Sequence, residues 1–303
     1  MNHRGRPVIF GEVLFDRFED GTSVLGGAPF NVAWHLQGLG LRPLFVSRVG
    51  DDMDGAHILR TMEAWGMDNR GVQVDPERPT GAVQVALQGG QPTFDILPER
   101  AYDYIDAAAA GALLASEDCA LLYHGTLITR SAVSRASLAA QKEALALPVF
   151  VDVNLRPPWW DASTLKQALA QARWAKLNEH ELASVLERDA VARADLEPAA
   201  QALCADLGLD LLIVTLGGEG ACIVHAGNCQ CGAPVPVASM MDTVGAGDAF
   251  SAVAILGLVE GWPYPQILSR ALGFASAVCA IRGATTTDRA LYSEQQDRWK
   301  NER

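Results

Sequence analysis

The chain has 303 residues, 49% of them hydrophobic, which is enough to bury a large core in one big α/β domain or two modest ones. Its formal net charge of −12, from 24 basic against 36 acidic residues, opposes a nucleic-acid or anionic-membrane partner. The start, Met-Asn-His-Arg-Gly-Arg-Pro, runs straight into a strand-like segment with no secretory leader, and no apolar run spans a bilayer, so a cytoplasmic location is expected. The six cysteines, at 119, 204, 222, 229, 231 and 279, are scattered and expected to be reduced. Cys229-Gln-Cys231 lacks the second ligand pair of a structural zinc site.

Along the chain, short apolar runs at Pro7–Phe15, Pro43–Val49, Ala120–Tyr123, Val149–Val153, Trp174–Leu177 and Leu211–Thr215 read as strands. Between and after them, helical patterns cover Ala28–Leu39, Gly55–Trp65, Arg135–Leu145, Ser163–Ala170, Glu179–Leu186, Glu197–Leu207 and Asp248–Val259, and the alanine run 107–110 also favours helix. Near-continuous apolar strands alternating with helices predict a doubly wound, mostly parallel sheet covered on both faces. Two stretches, 13–25 and 80–96, break the alternation. Polar and apolar residues alternate there between glycines and prolines, which predicts small antiparallel pieces. Set beyond the carboxyl ends of the strands, such a β element would form a lid.

The most informative string is Asp242-Thr-Val-Gly-Ala-Gly-Asp-Ala-Phe250. Gly245, Ala246 and Gly247 carry no bulky side chain at the mouth of a helix. Its first amides have no backbone partner, and its dipole adds partial positive charge, so an anion fits there. Asp248 in the same turn would repel a phosphate unless it has a chemical task, and general-base catalysis on an incoming hydroxyl supplies one. A turn with an ordinary first-turn aspartate is the structural alternative. The whole string resembles the second signature of the ribokinase/PfkB carbohydrate-kinase family, in which this Asp is the base and the amides form the anion hole.

Upstream, Gly26-Gly-Ala-Pro-Phe-Asn31 opens a helix and resembles that family's first signature. The resemblance implies that Gly26, Gly27 and Asn31 meet sugar hydroxyls. Asp16, which ends Gly11-Glu-Val-Leu-Phe-Asp16, matches the carboxylate that holds two of them. Asp152-Val-Asn-Leu-Arg-Pro-Pro-Trp-Trp160 places polar residues after a strand, where the Arg156 guanidinium could neutralise charge on a transferred phosphoryl group. This stretch resembles the Asn-Leu-Arg-Pro segment common in fructokinases.

Lys176-Leu-Asn178-Glu-His-Glu181 has capping-box spacing and also resembles the family's Asn-x-x-Glu motif. The motif implies Asn178 at the ATP phosphates and Glu181 serving Mg²⁺, mostly through water. The strand and turn containing Thr215, Gly217, Gly218 and Gly220 correspond to the family's nucleotide cleft. Glu219 departs from many relatives there and is assigned no contact. Ile281-Arg-Gly-Ala-Thr-Thr-Thr287 resembles the loop that, with residues near Asp242, coordinates a monovalent cation, which implies Asp242, Thr243 and Gly283 around K⁺.

The resemblance runs from about Pro7 to Asp288. It implies a single ribokinase-like kinase domain over 1–303 that uses ATP and Mg²⁺, with K⁺ as activator, to phosphorylate a sugar. Fructose is the first choice, with ribose, 2-keto-3-deoxygluconate or a nucleoside open, and the sugar chosen by lid side chains such as Phe15, Phe94 and Tyr104. A sugar-binding regulator without turnover is the reading from another class. A homodimer formed through the lid is a further expectation, and the six isolated histidines read as structural.

Overall fold

The computed structural model describes residues 5–88, 91–237 and 239–301. A nine-stranded sheet is built from β1 (Arg6–Phe10), β4 (Leu44–Gly50), β5 (Val72–Asp75), β8 (Cys119–Gly125), β9 (Val149–Asp152), β10 (Trp174–Asn178), β11 (Leu211–Thr215), β12 (Ala221–His225) and β13 (Asn228–Gly232). Its order is β13-β12-β11-β10-β9-β8-β1-β4-β5. Every pairing from β11 through to β5 is parallel, and only β12 and β13 run antiparallel at one edge.

Side chains alternate across these strands, so each strand supplies both cores. Ile9, Tyr123, Phe150, Ile213 and Ile223 face α1 (Ala28–Gly38), α8 (Ala246–Glu260) and α9 (Tyr264–Val278). Val8, Phe10, Leu122, Val151, Leu212 and Val214 belong to the opposite core. That core is covered by α3 (Ala107–Leu114), α4 (Ala132–Leu145), α5 (Ala162–Ala170), α6 (Glu179–Val185) and α7 (Leu196–Asp206). The remaining helices are α2 (Met53–Trp65) and α10 (Arg289–Asn301). Helix α8 is buried on nearly every side, which is why its sequence is small and apolar throughout.

The apolar run 7–15 is not one strand. It divides at Gly11, and the chain leaves the main sheet there to enter β2 (Leu14–Phe18). The hydrophobic pattern conceals the break because both pieces are buried. A β-carbon on Gly11 would lie 2.3 Å from the Pro29 ring, so the bend depends on glycine. A second sheet, ordered β3-β2-β6-β7, contains β3 (Ser23–Gly26), β6 (Gly81–Gln88) and β7 (Gln91–Ile96). The expected antiparallel pieces are the pairs β2/β3 and β6/β7, and a parallel β2/β6 pairing joins them. Residues 89 and 90 of the expected lid stretch lie outside the described residues. An Arg17–Asp54 ion pair ties this sheet to α2.

The expectation of reduced thiols needs correction at one edge. Cys222 and Cys231 are directly opposed in the β12/β13 register and form a disulfide. The sequence shows both cysteines but not the hairpin register that brings them together.

Candidate active site

Two loops meet over the start of α8. Gly245 caps the helix at φ 78° in the left-handed region, and a β-carbon there would lie 2.5 Å from the Ala284 Cα. The helix has no side-chain cap, and the amides of Gly247 and Asp248, in its first turn, lack intrahelical acceptors. Loop 281–287 is held against this turn by α1. Trp34 Nε1 donates to the Thr286 carbonyl at 2.8 Å, and His35 Nε2 lies 3.0 Å from the Ala284 carbonyl. Because that carbonyl can only accept, Nε2 carries the proton and Nδ1 accepts from the Tyr292 hydroxyl at 3.1 Å. Burial pushes His35 down to about 4, so it is neutral and structural, as expected.

Asp248 stands at the centre of the arrangement. Asn31 Nδ2 donates to its Oδ2 at 2.8 Å, which joins the two glycine-containing signatures. Its pKa is pushed up to about 6, first by burial and also by Asp152. Asn31, Lys176 and Arg156 act in the opposite direction. A carboxylate poised near neutrality, yet still in contact with solvent, is suited to take a proton.

Beneath the turn lies a buried ion pair that the sequence reading did not single out. Lys176 Nζ donates to both carboxylate oxygens of Asp152, at 2.8 and 2.9 Å. Ser251 Oγ, from α8, adds a third bond to Asp152 at 2.7 Å. Burial alone would lower the Lys176 pKa, but Asp152, with Glu181 and Asp248, raises it, so the ammonium stays charged. The cation lies close under the glycine turn, because a β-carbon on Gly247 would sit 3.6 Å from its Nζ. Two charged residues inside otherwise apolar strands were the available signal.

On the lid side, Asp16 sits on β2 beside Gly26, whose added β-carbon would lie 3.5 Å from the Asp16 Oδ2. Gly27 has φ 107°, and a side chain there would press on the Glu12 carbonyl at 2.8 Å. Asn31 Oδ1 is buried and has no partner among the described residues, so that amide keeps an acceptor available beside Asp248. Glu12, also missed, is only 4% exposed and has an unpartnered Oε2. Burial pushes it up to about 7, with Asp248 adding to the rise while Arg156 and Arg130 oppose it. Arg156 itself is exposed, and among the described residues its guanidinium bonds only its neighbour's carbonyl, Leu155 O, at 3.1 Å. Its charge nevertheless reaches Glu12, Asp16 and Asp248, so the expected residues of both signatures share one electrostatic field. Of the expected lid side chains, Phe94 is exposed, whereas Phe15 is buried against His57. Tyr104 is held by Glu99 and by Arg78 stacked 3.5 Å from its ring.

On the opposite side, Asn178 caps α6 by accepting from the His180 and Glu181 amides, each at 2.9 Å. Glu181 returns the bond to the Asn178 amide and also accepts from the Leu155 amide, both at 2.8 Å. The capping box therefore anchors the loop that carries Arg156. With both carboxylate oxygens already on amides, Glu181 suits a water-bridged metal better than direct ligation. Thr215 ends β11, its hydroxyl 3.5 Å from the Leu177 carbonyl, and Gly217 and Gly218 follow in an exposed turn with open space around them. Gly220 has φ 99°, and a β-carbon there would strike the Gly232 carbonyl at 2.0 Å. Glu219 faces Arg193 at 3.6 Å on the surface. Asp242 accepts from the Val244 and Gly283 amides at 3.0 and 3.2 Å, which brings the loops carrying Thr243 and Gly283 together.

A family model for pfkB family carbohydrate kinases matches residues 8–290. The chain belongs to the pfkB family of carbohydrate kinases. This sugar kinase is 30% identical to a fructokinase of Klebsiella pneumoniae over 305 residues, covering 95% of each chain. It is 26% identical over 277 residues to a 5-dehydro-2-deoxygluconokinase of Geobacillus thermodenitrificans, covering 85% of this chain and 79% of that one. Among solved structures, a double mutant of the Vibrio cholerae fructokinase bound to fructose, ADP and potassium ion superposes with a TM-score of 0.79. That match has 25% identity and covers 96% of this kinase and 98% of the other chain.

Proposed function

We propose that this kinase transfers the γ-phosphoryl group of ATP to a hydroxyl of fructose. The observation that supports this chemistry is the 2.8 Å bond from Asn31 to Asp248 at the mouth of the Gly245 turn, because it joins the two residues that this reading makes the sugar-binding amide and the base. In this reading Asp16, Gly26, Gly27 and Asn31 hold the sugar. Asp248 accepts the proton of the attacking hydroxyl, the new P–O bond forms, and the bond from the γ-phosphorus to the bridging oxygen breaks to release ADP. Amides at Gly245, Ala246 and Gly247, with Lys176 beneath, stabilise charge on the phosphoryl group, and Arg156 balances the rest.

Asn178, Thr215, Gly217, Gly218 and Gly220 border the nucleotide. Mg²⁺, with Glu181 in its water shell, would neutralise charge on the phosphates. Asp242, Thr243 and Gly283 would serve a K⁺ site. The fructose choice is supported by the fructokinase relatives and by the Gly11 to Asp16 and Asn154 to Trp160 segments. The site belongs to one domain in this reading, and the lid forms a dimer surface through the exposed Phe18, Val24 and Phe94. Among the described residues no helix is long and apolar enough to cross a membrane.

Phosphorylation of another sugar is the competing reading, favoured by the 5-dehydro-2-deoxygluconokinase relative. ADP release with Mg-ATP and potassium, measured across fructose, ribose, 2-keto-3-deoxygluconate, 5-dehydro-2-deoxygluconate, tagatose and a nucleoside, separates them. Selective turnover of fructose is expected. Selective turnover of another sugar would overturn the substrate and keep the mechanism. Sugar binding without turnover on the whole panel would favour a regulator.

A further inference from the structure

A cavity of about 340 Å³ lies between α4 and α5. It is on the sheet face opposite α8, because Tyr123 points toward Asp152 while His124, one residue on, points the other way. Its lining includes His124, Thr129, Arg135, Lys142, Thr164 and Gln167. His124 is fully buried, and its Nδ1 lies 2.8 Å from the Gly125 carbonyl. A carbonyl only accepts, so Nδ1 holds the proton and Nε2 is left as an acceptor. That Nε2 is buried and without a partner. Burial and then the nearby Lys142 keep the ring neutral.

Lys142 is half-buried, and its ammonium has no hydrogen-bond or ion-pair partner among the described residues. Burial pushes its ammonium down to about 8, so it remains mostly charged near neutral pH. At the rim, Arg135 donates to the Thr129 carbonyl at 3.0 Å. Its charge also reaches Asp161, the cap of α5, whose carboxyl is lowered first by the Thr164 amide and more weakly by Arg135.

We propose that this cavity binds a small hydroxylated anion, with Lys142 meeting the anionic group and His124 Nε2 accepting from a hydroxyl. A bare anion would turn lone pairs toward the Nε2 lone pair, and a neutral polyol would leave the half-desolvated ammonium unanswered. A sugar phosphate or a sugar acid satisfies both groups, and the volume falls in the lower range for small-molecule sites, roughly 300–1,000 Å³.

Calorimetric titration of the full chain, with saturating Mg-ADP present, tests this with glycerol 3-phosphate, gluconate and sulfate as probes. The wild type should bind glycerol 3-phosphate or gluconate saturably. Lys142→Met should weaken that binding about tenfold or more, Lys142→Arg should retain it, and sugar turnover should be unchanged in both variants. Tighter binding of glycerol 3-phosphate would assign a phosphomonoester, and tighter binding of gluconate a sugar acid. Absence of saturable binding by both, or equal binding by wild type and Lys142→Met, would overturn the site. Sulfate, which has no hydroxyl to donate, bound as tightly as glycerol 3-phosphate would overturn the part given to His124. Because the readout is binding at Lys142, it fails or succeeds independently of the fructose reading.

Discussion

Asn31 and Asp248 are 217 positions apart and are joined by a 2.8 Å hydrogen bond from amide to carboxylate. One bond thus fixes the orientation of the Asp248 carboxylate, lowers its proton affinity against the effect of burial, and leaves the other end of the amide without a partner among the described residues. The pH dependence of the reaction should reflect this balance.

Asp248 must be ionised to accept a proton, and its pKa is about 6, so kcat/KM should rise with pH through that value and level off above it. Asn31→Leu removes a contact that favours the charged form and should move the acid limb to higher pH. Asp152→Asn removes a neighbouring carboxylate whose charge opposes ionisation and should move the limb to lower pH. Opposite displacements in the two pH profiles are the expected outcome. Shifts in the same direction, or none, would assign the limb to another group.

Gly245→Ala combines an unfavourable left-handed φ of 78° with a β-carbon 2.5 Å from the Ala284 Cα. A loss of about 1–3 kcal/mol in stability is expected from the conformation alone, and kcat should fall because the turn must shift. Urea unfolding together with steady-state kinetics measures both. Retained stability and turnover would show that the close packing of this turn has no catalytic importance.

Lys176→Met strips the counter-ion from a buried carboxylate, Asp152, that Ser251 and Tyr123 alone cannot neutralise. A destabilisation of about 3–5 kcal/mol is expected in urea unfolding, with much of it recovered when Asp152→Asn is added. A single-variant loss below about 1 kcal/mol would mean that the pair is well hydrated.

Much of this was legible in the sequence, for local reasons. Gly245, Gly247 and Asp248 are contiguous, and a glycine turn at a helix mouth has the same physics in any fold. The alternation of apolar strands and helices likewise gave the parallel sheet. Glu12 was hidden because an acid within an apolar run resembles the wet face of a strand, and the bend at Gly11 that turns it inward depends on contact with Pro29. Asp152 and Lys176 were visible as charges in buried strands, but their pairing is set by the β9/β10 register, just as Cys222 and Cys231 meet only through the β12/β13 register. Electrostatic neighbours of this kind are products of the fold.

The central claim is that Asp248 is the base of a phosphoryl transfer. Its direct test is Asp248→Asn, with turnover measured on the preferred sugar and binding of sugar and ADP measured separately. The account predicts a fall in kcat of about 10³-fold or more with both ligands still bound. Turnover within a few fold of wild type, with binding intact, would contradict it.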